Sequence, residues 1–342
     1  MSYKTTIADI AKELNTTAAT VSRALSNHPR ISHETKKSVN LTAIKLNYKR
    51  NRVASSLRLG KTHLIGVIIP SAEINFFGSV VHGIESIASL SGYNVLLYQS
   101  NESGEYEEKG IETFLSARVD GILVSLAKGT VDYSHFEQIK KRKVPVVLFD
   151  RSNDGLDIDS VEIDDYKGAY MATEHLISKG YKRIAHIAGP VHLKNFSERI
   201  RGYKEALRAN NMSVDGSYIY NGNVSIESGR EGTCHLLSMP DAPDAIFATE
   251  DFTALGVMKE LKERDIKVPD EFGIIGFANE QFGEHITPTL SSVDQQTIQM
   301  GKSALNLLID LIEKREGVGG NRQKIVLEPV LICRDSTDRK AV

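Results

Sequence analysis

Cysteine is nearly absent from this chain of 342 residues. The two examples, Cys234 and Cys333, lie 99 positions apart, so neither a disulfide framework nor a four-ligand zinc site is expected. Long apolar runs are missing too, because no stretch approaches the ~18 apolar residues that a membrane-spanning helix needs. The first residues contain no apolar h-region, so a signal peptide is not expected either. These absences predict a cytoplasmic protein without a membrane partner.

Signatures of catalysis are also lacking. The chain has no Walker A run, no G-x-G-x-x-G after a predicted strand, no G-x-S-x-G and no H-E-x-x-H. The glycines of 317–320 follow a predicted helix, so a loop is expected there. The ten histidines show no metal-ligand spacing, and His186, in an apolar run, is expected to be a core residue. We therefore expect no enzymatic activity, no metal and no cofactor.

The charged residues are divided unevenly along the chain. In total, 42 Lys and Arg almost balance 44 Asp and Glu. Residues 1–60, however, hold eleven basic and three acidic residues, a net charge of +8, which leaves −10 for residues 61–342. A small basic segment on a large acidic one indicates a nucleic-acid-binding module joined to a second part, although a solvated basic face has the same composition. The length predicts two or three domains of ~100–200 residues each.

The basic segment has the pattern of three short helices. From Ile7 to Leu14, apolar residues recur at spacings of three, one and three, which places them on one helical face. Thr6 can cap this helix. A second helix is predicted after the cap Thr17 and a third after the cap Ser32. Two short helices joined by a tight turn and followed by a third are typical of a helix-turn-helix domain.

The second helix is the natural recognition helix, because its N-terminal residues are small, polar or basic. The hydroxyls of Thr6, Thr17 and Ser22 and the guanidinium of Arg30 suit contacts with phosphate, and helix N-termini offer further N–H groups. For the two threonines, capping alone is the alternative role, and the two roles are compatible.

Three motifs in this region are specific. They are TVSRAL at 20–25, LNY at 46–48, and NRVASSL at 51–57 followed by IGV at 65–67. Together they resemble the lactose-repressor/galactose-repressor family of bacterial transcription regulators, and the resemblance extends over the whole chain. It implies a repressor that binds an inverted repeat of double-stranded operator DNA as a homodimer, with a tetramer left open, under the control of a small-molecule effector.

The resemblance also implies a domain organisation. A helix-turn-helix domain is expected at 1–50, a hinge at 51–60, and an effector-binding and dimerisation domain at 61–342. Within the last domain, the N-lobe is expected at about 61–161 and 291–320, and the C-lobe at about 162–290 and 321–340.

In this family the second helix lies in the major groove, which implies that Ala18, Ala19 and Arg23 read the bases. The alanines can only pack on a thymine methyl group or permit close approach, whereas Arg23 can contact a guanine through two hydrogen bonds. In the hinge, the resemblance implies a DNA contact at Asn51 and places Leu57 as a wedge in the minor groove. Burial of Leu57 against the rest of the protein is the alternative.

From residue 63 onward, short apolar runs alternate with amphipathic stretches. This alternation predicts parallel α/β structure, and its repetition after residue 184 predicts two lobes with two parallel sheets. The expected fold is thus a small all-α head followed by a two-lobe α/β domain, which agrees with the type I periplasmic-binding-protein fold of the family. Ligands lie outside the carboxyl ends of strands in such sheets, and in two lobes those ends face one cleft.

Six residues are candidates for this cleft: Phe76, Phe77, Asp150, Arg199, Asp251 and Asn279. The resemblance implies that the aromatic pair packs on the ligand, that Asp150 binds a sugar hydroxyl and that Arg199 binds the ligand. We expect Asp150 and Arg199 to face each other across the cleft, with a structural salt bridge between them as the alternative. Asp251 opens a predicted helix, so capping is its alternative role.

One departure from the family concerns Ala278-Asn279-Glu280, where many relatives carry an effector-binding aspartate. Either Asn279 or Glu280 substitutes for it, or the effector differs in kind. A carbohydrate is favoured, because Asp, Asn, Arg and stacked Phe are groups that bind sugars, while a purine or another metabolite stays open. A solute-binding protein for transport is disfavoured by the basic head, and a sugar enzyme by the missing catalytic signatures.

Overall fold

The computed structural model describes residues 5–48, 61–314 and 322–339. The chain forms two compact units, Met1–Thr62 and His63–Val342. The predicted hinge, with Asn51 and Leu57, and the predicted loop at 317–320 lie outside the described residues. Within the described part of the chain, no helix has the length and apolar character needed to cross a lipid bilayer.

The first unit contains three helices, as predicted: α1 (Ile7–Glu13), α2 (Ala18–Leu25) and α3 (His33–Lys45). Each begins at a hydroxyl-bearing N-cap residue, a type that satisfies backbone N–H groups left open in the first turn. The hydroxyl oxygen of Ser32, for example, accepts a hydrogen bond from the Thr35 backbone N–H at 3.2 Å.

The core of this unit is small and comes from all three helices. Ile10, Val21 and Val39 have no exposed surface, and the predicted inward faces pack together. Because these side chains take up the inner faces, the outer face of α2 is left to polar and small residues.

The second unit begins with a six-stranded parallel sheet in the order β11-β5-β4-β3-β1-β2. Its strands are β1 (Leu64–Ile69), β2 (Asn94–Gln99), β3 (Gly121–Val124), β4 (Val146–Phe149), β5 (Asp159–Ile163) and β11 (Lys324–Leu327). Its helices are α4 (Asn75–Leu90), α5 (Gly104–Ala117), α6 (Phe136–Lys141) and α11 (Thr297–Glu313). The central strands are apolar because helices cover both faces. We call this part the first lobe.

The second lobe surrounds a four-stranded parallel sheet in the order β7-β6-β8-β9. Its strands are β6 (Ile184–Ala188), β7 (Ile219–Asn221), β8 (Ala245–Ala248) and β9 (Gly273–Ile275). Its helices are α7 (Asp165–Ser178), α8 (Lys194–Ala209), α9 (Ile226–Leu237) and α10 (Asp251–Glu263). His186 is a core residue, as predicted: it is fully buried and its Nδ1 lies 2.9 Å from the Phe247 carbonyl oxygen.

The end of the chain corrects the expected division into lobes. The strand β11, expected in the C-lobe at 321–340, pairs with β5 in the first lobe. The short strand β10 (Ser292–Asp294), expected in the N-lobe at 291–320, pairs antiparallel with β12 (Val330–Ile332) and continues from a bridge to β9 at Ser291. The chain therefore passes between the lobes after β5, after β10 and after β11.

Candidate nucleic-acid interface and ligand cleft

The exposed face of α2 presents the residues that were predicted to read bases, with Ala18 and Ala19 in the first turn and Arg23 in the last. Ala18, Ala19 and Arg23 are exposed, whereas Val21 and Ala24 are buried on the opposite face. The helical period of 3.6 residues produces this separation. A flat surface of two methyl groups with one long cation beside it can approach a groove closely.

The predicted phosphate contacts have local roles as well. Thr6 donates its backbone N–H and its hydroxyl to Asp9 Oδ2, each at 2.7 Å, and Thr17 Oγ1 accepts from the Thr20 backbone N–H at 3.1 Å. Both threonines are therefore caps. Ser22 is half-buried on α2, and Arg30 is exposed between α2 and α3.

The described part of the head has a positive surface. Residues 5–48 contain six basic and three acidic side chains. One exposed ion pair, between Lys45 Nζ and Glu13 Oε1 at 2.9 Å, joins α3 to α1. Because exposed pairs of this kind are weak, the basic side chains stay available to an anionic polymer.

A cavity of about 360 Å³ lies between the two lobes of the body. This volume falls in the range of small-molecule sites. Four of the predicted residues line it, namely Phe76, Phe77 and Asp150 from the first lobe and Arg199 from the second. The aromatic pair packs edge to face, with ring centroids 5.0 Å apart, and Phe196 and Phe252 contribute further aromatic wall from the second lobe.

Asp150 follows β4 directly and is buried at 8% exposure. Its φ of +59° lies in the left-handed region, which few residues other than glycine adopt and which recurs at functional sites. Ser125 Oγ donates to Asp150 Oδ2 at 3.2 Å, and Arg151 Nε lies 3.8 Å from the same oxygen. Burial raises the pKa of the Asp150 carboxyl, against the opposing effect of Arg151 and Arg199.

Arg199 pairs with Asp165 rather than with Asp150, which corrects the salt bridge considered from the sequence. Arg199 Nε donates to Asp165 Oδ1 at 2.8 Å, and Nη1 donates to the Thr249 carbonyl at 2.6 Å. Its guanidinium carbon also lies 3.7 Å from the ring centroid of Phe277. Burial raises the pKa of Asp165 to about 7, although Arg199 lowers it. From α8, the arginine thus contacts the start of α7 and the segment just before α10 at the cavity.

Asp251 and Asn279 do not line the cavity, contrary to prediction. Asp251 is fully buried and accepts from the Glu280 backbone N–H at 2.6 Å and from Ser292 Oγ at 2.7 Å. Asn279 Nδ2 donates to Asp294 Oδ2 at 3.0 Å, and its Oδ1 accepts from Arg334 Nη2 at 2.8 Å. Asp251 therefore connects α10 to β10, and Asn279 connects the segment after β9 to β10 and to Arg334.

Arg151, which ends the same strand as Asp150, also lines the cavity, together with five residues that the sequence did not single out: Asn195, Phe196, Glu250, Phe252 and Gln295. Glu250 is the N-cap of α10, and its Oε2 accepts from the Phe252 backbone N–H at 2.9 Å. It also follows β8 closely, so the rule that places ligands at carboxyl strand ends could have identified it.

Glu280 crosses between the lobes. Its Oε1 accepts a hydrogen bond from the Phe76 backbone N–H at 3.0 Å. The N-cap of α4 is Ile74, which offers no side-chain acceptor, so Glu280 satisfies an amide that the helix itself leaves open. Burial raises the pKa of the Glu280 carboxyl.

Replacement of Glu280 tests this contact. Glu280→Ala should lower the free energy of unfolding by about 0.5–2 kcal/mol, the usual cost of losing a helix cap. Glu280→Gln keeps an acceptor and removes a charge that burial disfavours. Since the folded-state pKa exceeds the ordinary 4.5, the carboxyl stabilises the fold below that value and loses this contribution as pH rises through the folded-state pKa. Urea unfolding at pH 7 should therefore rank Gln at or above wild type, and equal midpoints for Ala and wild type would contradict the cap.

A helix-turn-helix head and a two-lobed body with a central cavity together define a DNA-binding protein with a ligand-binding domain. The family described as "Bacterial regulatory proteins, lacI family" matches residues 6–51, and "Periplasmic binding protein-like domain" matches residues 173–337. Catabolite control protein A of Priestia megaterium is 36% identical over 310 residues, 90% of this chain and 93% of that protein. The chain belongs to the LacI family of bacterial regulatory proteins.

Two further comparisons agree with this assignment. HTH-type transcriptional repressor CytR of Escherichia coli (strain K12) is 31% identical over 332 residues, 97% of this chain and 96% of that protein. Among solved structures, the complex of transcriptional regulator CelR with cellobiose has a TM-score of 0.74 at 27% identity, covering 97% of this chain and 100% of that one. The chain is a transcription regulator, and these relatives are regulators rather than enzymes.

Proposed function

We propose that the protein is a cytoplasmic transcription repressor that binds an inverted-repeat operator as a homodimer and responds to a small carbohydrate effector. The observation that carries the proposal is the presence, in one chain, of an exposed recognition surface on α2 and a cavity with aromatic walls between two lobes. The names of the relatives support the two halves separately, since CytR is a repressor and CelR is seen with cellobiose.

The DNA contacts follow from the surface of the head. Ala18, Ala19 and Arg23 face the major groove, and Arg23 supplies the hydrogen bonds to a base edge, because alanine has no polar side chain. Thr6, Thr17, Ser22 and Arg30 contact phosphate from the surrounding surface. Asn51 and Leu57, outside the described residues, belong to a hinge that orders on the operator, with Leu57 as the wedge in the minor groove.

The effector contacts follow from the cavity. Phe76 and Phe77 pack on the apolar face of a sugar ring, and Asp150 accepts hydrogen bonds from its hydroxyls. Arg199 contacts the ligand while it holds the second lobe together. Ligand bound to both lobes favours whichever arrangement of the lobes it contacts better, and only that difference in affinity can alter DNA binding.

Selection of binding sites from random duplex DNA with the full chain tests the DNA half of this proposal. The selected sites should contain an inverted repeat, because two recognition helices related by a dyad contact two mirrored half-sites. Affinity should fall steeply with salt, since each cation that contacts phosphate releases counterions. The matched control is the same site with one half-site scrambled, which should retain only salt-sensitive non-specific binding. Sites without an inverted repeat would contradict the dimeric reading.

A further inference from the structure

A short segment of the second lobe, residues 190–194, contacts the first lobe at two points. It connects β6 to α8, and the Leu193 backbone N–H donates to the Pro190 carbonyl at 3.1 Å, which closes a tight turn. Leu193 is buried at 2% exposure, whereas His192 on one side of it and Lys194 on the other contact the first lobe. We call residues 190–194 the strap.

Lys194 makes the charged contact of the strap. Its Nζ lies 2.8 Å from Glu162 Oε2 and 2.8 Å from Asp154 Oδ2, and both carboxylates belong to the first lobe. The side chains of Lys194 and Glu162 are 28% and 7% exposed, so solvent screens this ion pair only in part. The hydrogen bond from Lys194 lowers the pKa of the Asp154 carboxyl to about 2. The lobes are therefore joined here by a charge-assisted contact.

The same two carboxylates also have partners within the first lobe. Arg322 Nη2 donates to Asp154 Oδ1 at 2.7 Å, and Lys324 Nζ lies 3.1 Å from Glu162 Oε2. Because each carboxylate keeps a cation of its own lobe, loss of Lys194 leaves neither of them as an unpaired buried charge. The ion pair of Lys194 thus acts between the lobes, and the first lobe does not need it in order to fold.

His192 makes the second contact of the strap, with the loop that follows β3. Its Nε2 lies 2.8 Å from the Lys128 carbonyl oxygen, and Nε2 is the donor because a carbonyl oxygen only accepts. The Lys128 backbone N–H donates to Glu102 Oε2 at 2.8 Å, and the same oxygen accepts from Arg151 in the cavity wall. Lys128 Nζ donates to the Asn223 carbonyl of the second lobe at 3.4 Å. The strap, this loop and the segment after β7 therefore meet beside the cavity.

The strap continues directly into a wall of the cavity. Asn195, Phe196 and Arg199, in the first turns of α8, line the cavity from the second lobe, and Asp150 and Arg151 line it from the first. Since the backbone connects the lobes only where it passes between them, the two walls can separate by rotation about those passages. Contacts made by the strap oppose such a rotation, because they hold the start of α8 against the first lobe.

We infer that the strap is a releasable fastening between the two lobes, with Lys194 as its ionic anchor, and that molecules too large for the cavity reach its walls only when Lys194 separates from Asp154 and Glu162. The inference concerns access to the cavity and does not depend on which effector binds there. Its failure would leave the proposed function standing.

Labelling of a cysteine in the cavity measures how often the walls separate. The full chain, with Cys234→Ser and Cys333→Ser to remove its two native thiols, receives Phe76→Cys at a cavity position that is 7% exposed. A poly(ethylene glycol) maleimide is far larger than the cavity of about 360 Å³, so it reacts only with the separated state. When reclosing is fast, the labelling rate is proportional to the population of that state.

Lys194→Met should raise the labelling rate about 5- to 30-fold, the range for a charge-assisted hydrogen bond that solvent screens in part. Lys194→Arg keeps the positive charge and should label at a rate close to that of the wild type. Added salt should raise the wild-type rate and have little effect on Lys194→Met. The matched control is Lys324→Met, which removes a cation from the same Glu162 carboxylate but within the first lobe, and it should label like the wild type.

A second reporter distinguishes separation of the lobes from unfolding. Ala172→Cys places the thiol in the fully buried core of the second lobe, where only unfolding exposes it. If Lys194→Met raises the labelling rates of both reporters by the same factor, Lys194 stabilises the fold as a whole and the inference is wrong. A rate at the Phe76→Cys reporter that is unchanged in Lys194→Met, or raised equally in Lys324→Met, would likewise contradict an anchor between the lobes.

Discussion

Replacing Arg199 with alanine is expected to lower the free energy of unfolding by about 3–5 kcal/mol, the cost of breaking a buried ion pair by removing one partner. Arg199 is 2% exposed and Asp165 is 7% exposed, so the ion pair is buried. The change leaves the Asp165 carboxyl without its guanidinium and the Thr249 carbonyl without its donor. It also removes the cation stacked on Phe277.

The deficit should depend on pH. With Arg199 present the pKa of Asp165 is about 7, and without it the pKa rises further. A carboxyl with a raised pKa stabilises the fold at low pH and loses that contribution as pH rises through the folded-state value. Urea unfolding at pH 5 and pH 8 should therefore show the larger loss at pH 8.

The matched control is Arg208→Ala on the same helix. Arg208 is exposed and pairs with Glu205 at 3.2 Å, and a surface pair of this kind contributes only about 0–1 kcal/mol. If Arg199→Ala unfolds at the same urea concentration as Arg208→Ala, the ion pair with Asp165 does not stabilise the second lobe. In that case Arg199 would be reserved for the effector alone.

The sequence was most informative where burial is complete on both faces of a sheet. The apolar run Leu64–Ile69 predicted a strand buried on both faces, and the structure places it as β1, between β3 and β2. The strand β5 escaped notice because its sequence, Asp159-Ser-Val-Glu-Ile163, is half polar. In the structure Ser152 and Ser160 donate to Glu162 Oε1 at 2.6 and 2.7 Å, so the polar side chains are satisfied internally. Such a buried network cannot be distinguished from a loop by hydropathy alone.

Prediction from the sequence was also limited at the cavity, where it had to choose between neighbouring residues. Asp150 was identified because it directly ends a strand and matches the family. At the start of α10, however, the sequence offered Glu250 and Asp251 side by side, and the wrong one was selected for the cavity. Glu250 is the extended N-cap and Asp251 is the first helical residue, so an error of one position exchanges the cavity wall for the protein interior. Only the cap geometry, with Glu250 as N-cap, decides which of the two residues lines the cavity.

The wrong assignment of β11 to the C-lobe has a different origin. Its sequence, Lys-Ile-Val-Leu, is compatible with the edge of either sheet, and the choice depends on a partner more than 160 positions earlier in the chain. Periodicity along a single strand contains no information about which edge accepts it. The expected division already had three passages between the lobes, and the structure moves where the second and third of them fall.

Replacing Arg23 with alanine should remove sequence discrimination at one base pair of each half-site. A guanine contact through two hydrogen bonds contributes about 1–3 kcal/mol of discrimination, or about 5- to 150-fold in relative affinity. Ala18 and Ala19 offer no hydrogen bond, so Arg23 alone can supply one from this set. The measurement compares the selected operator with duplexes altered at each position of the half-site, by fluorescence anisotropy at one fixed salt concentration.

The matched control for this change is Arg30→Ala, because both variants lose one exposed positive charge from the same head. Arg30 lies between α2 and α3 and is proposed to contact phosphate, so its loss should weaken all sequences by a similar factor and reduce the salt slope by about 1. Arg23→Ala should also reduce the salt slope, yet it should leave one position at which every base binds equally. If Arg23→Ala instead gives the same uniform loss as Arg30→Ala, then Arg23 contacts the DNA backbone, and the bases are read through the methyl groups of the two alanines and through the hinge.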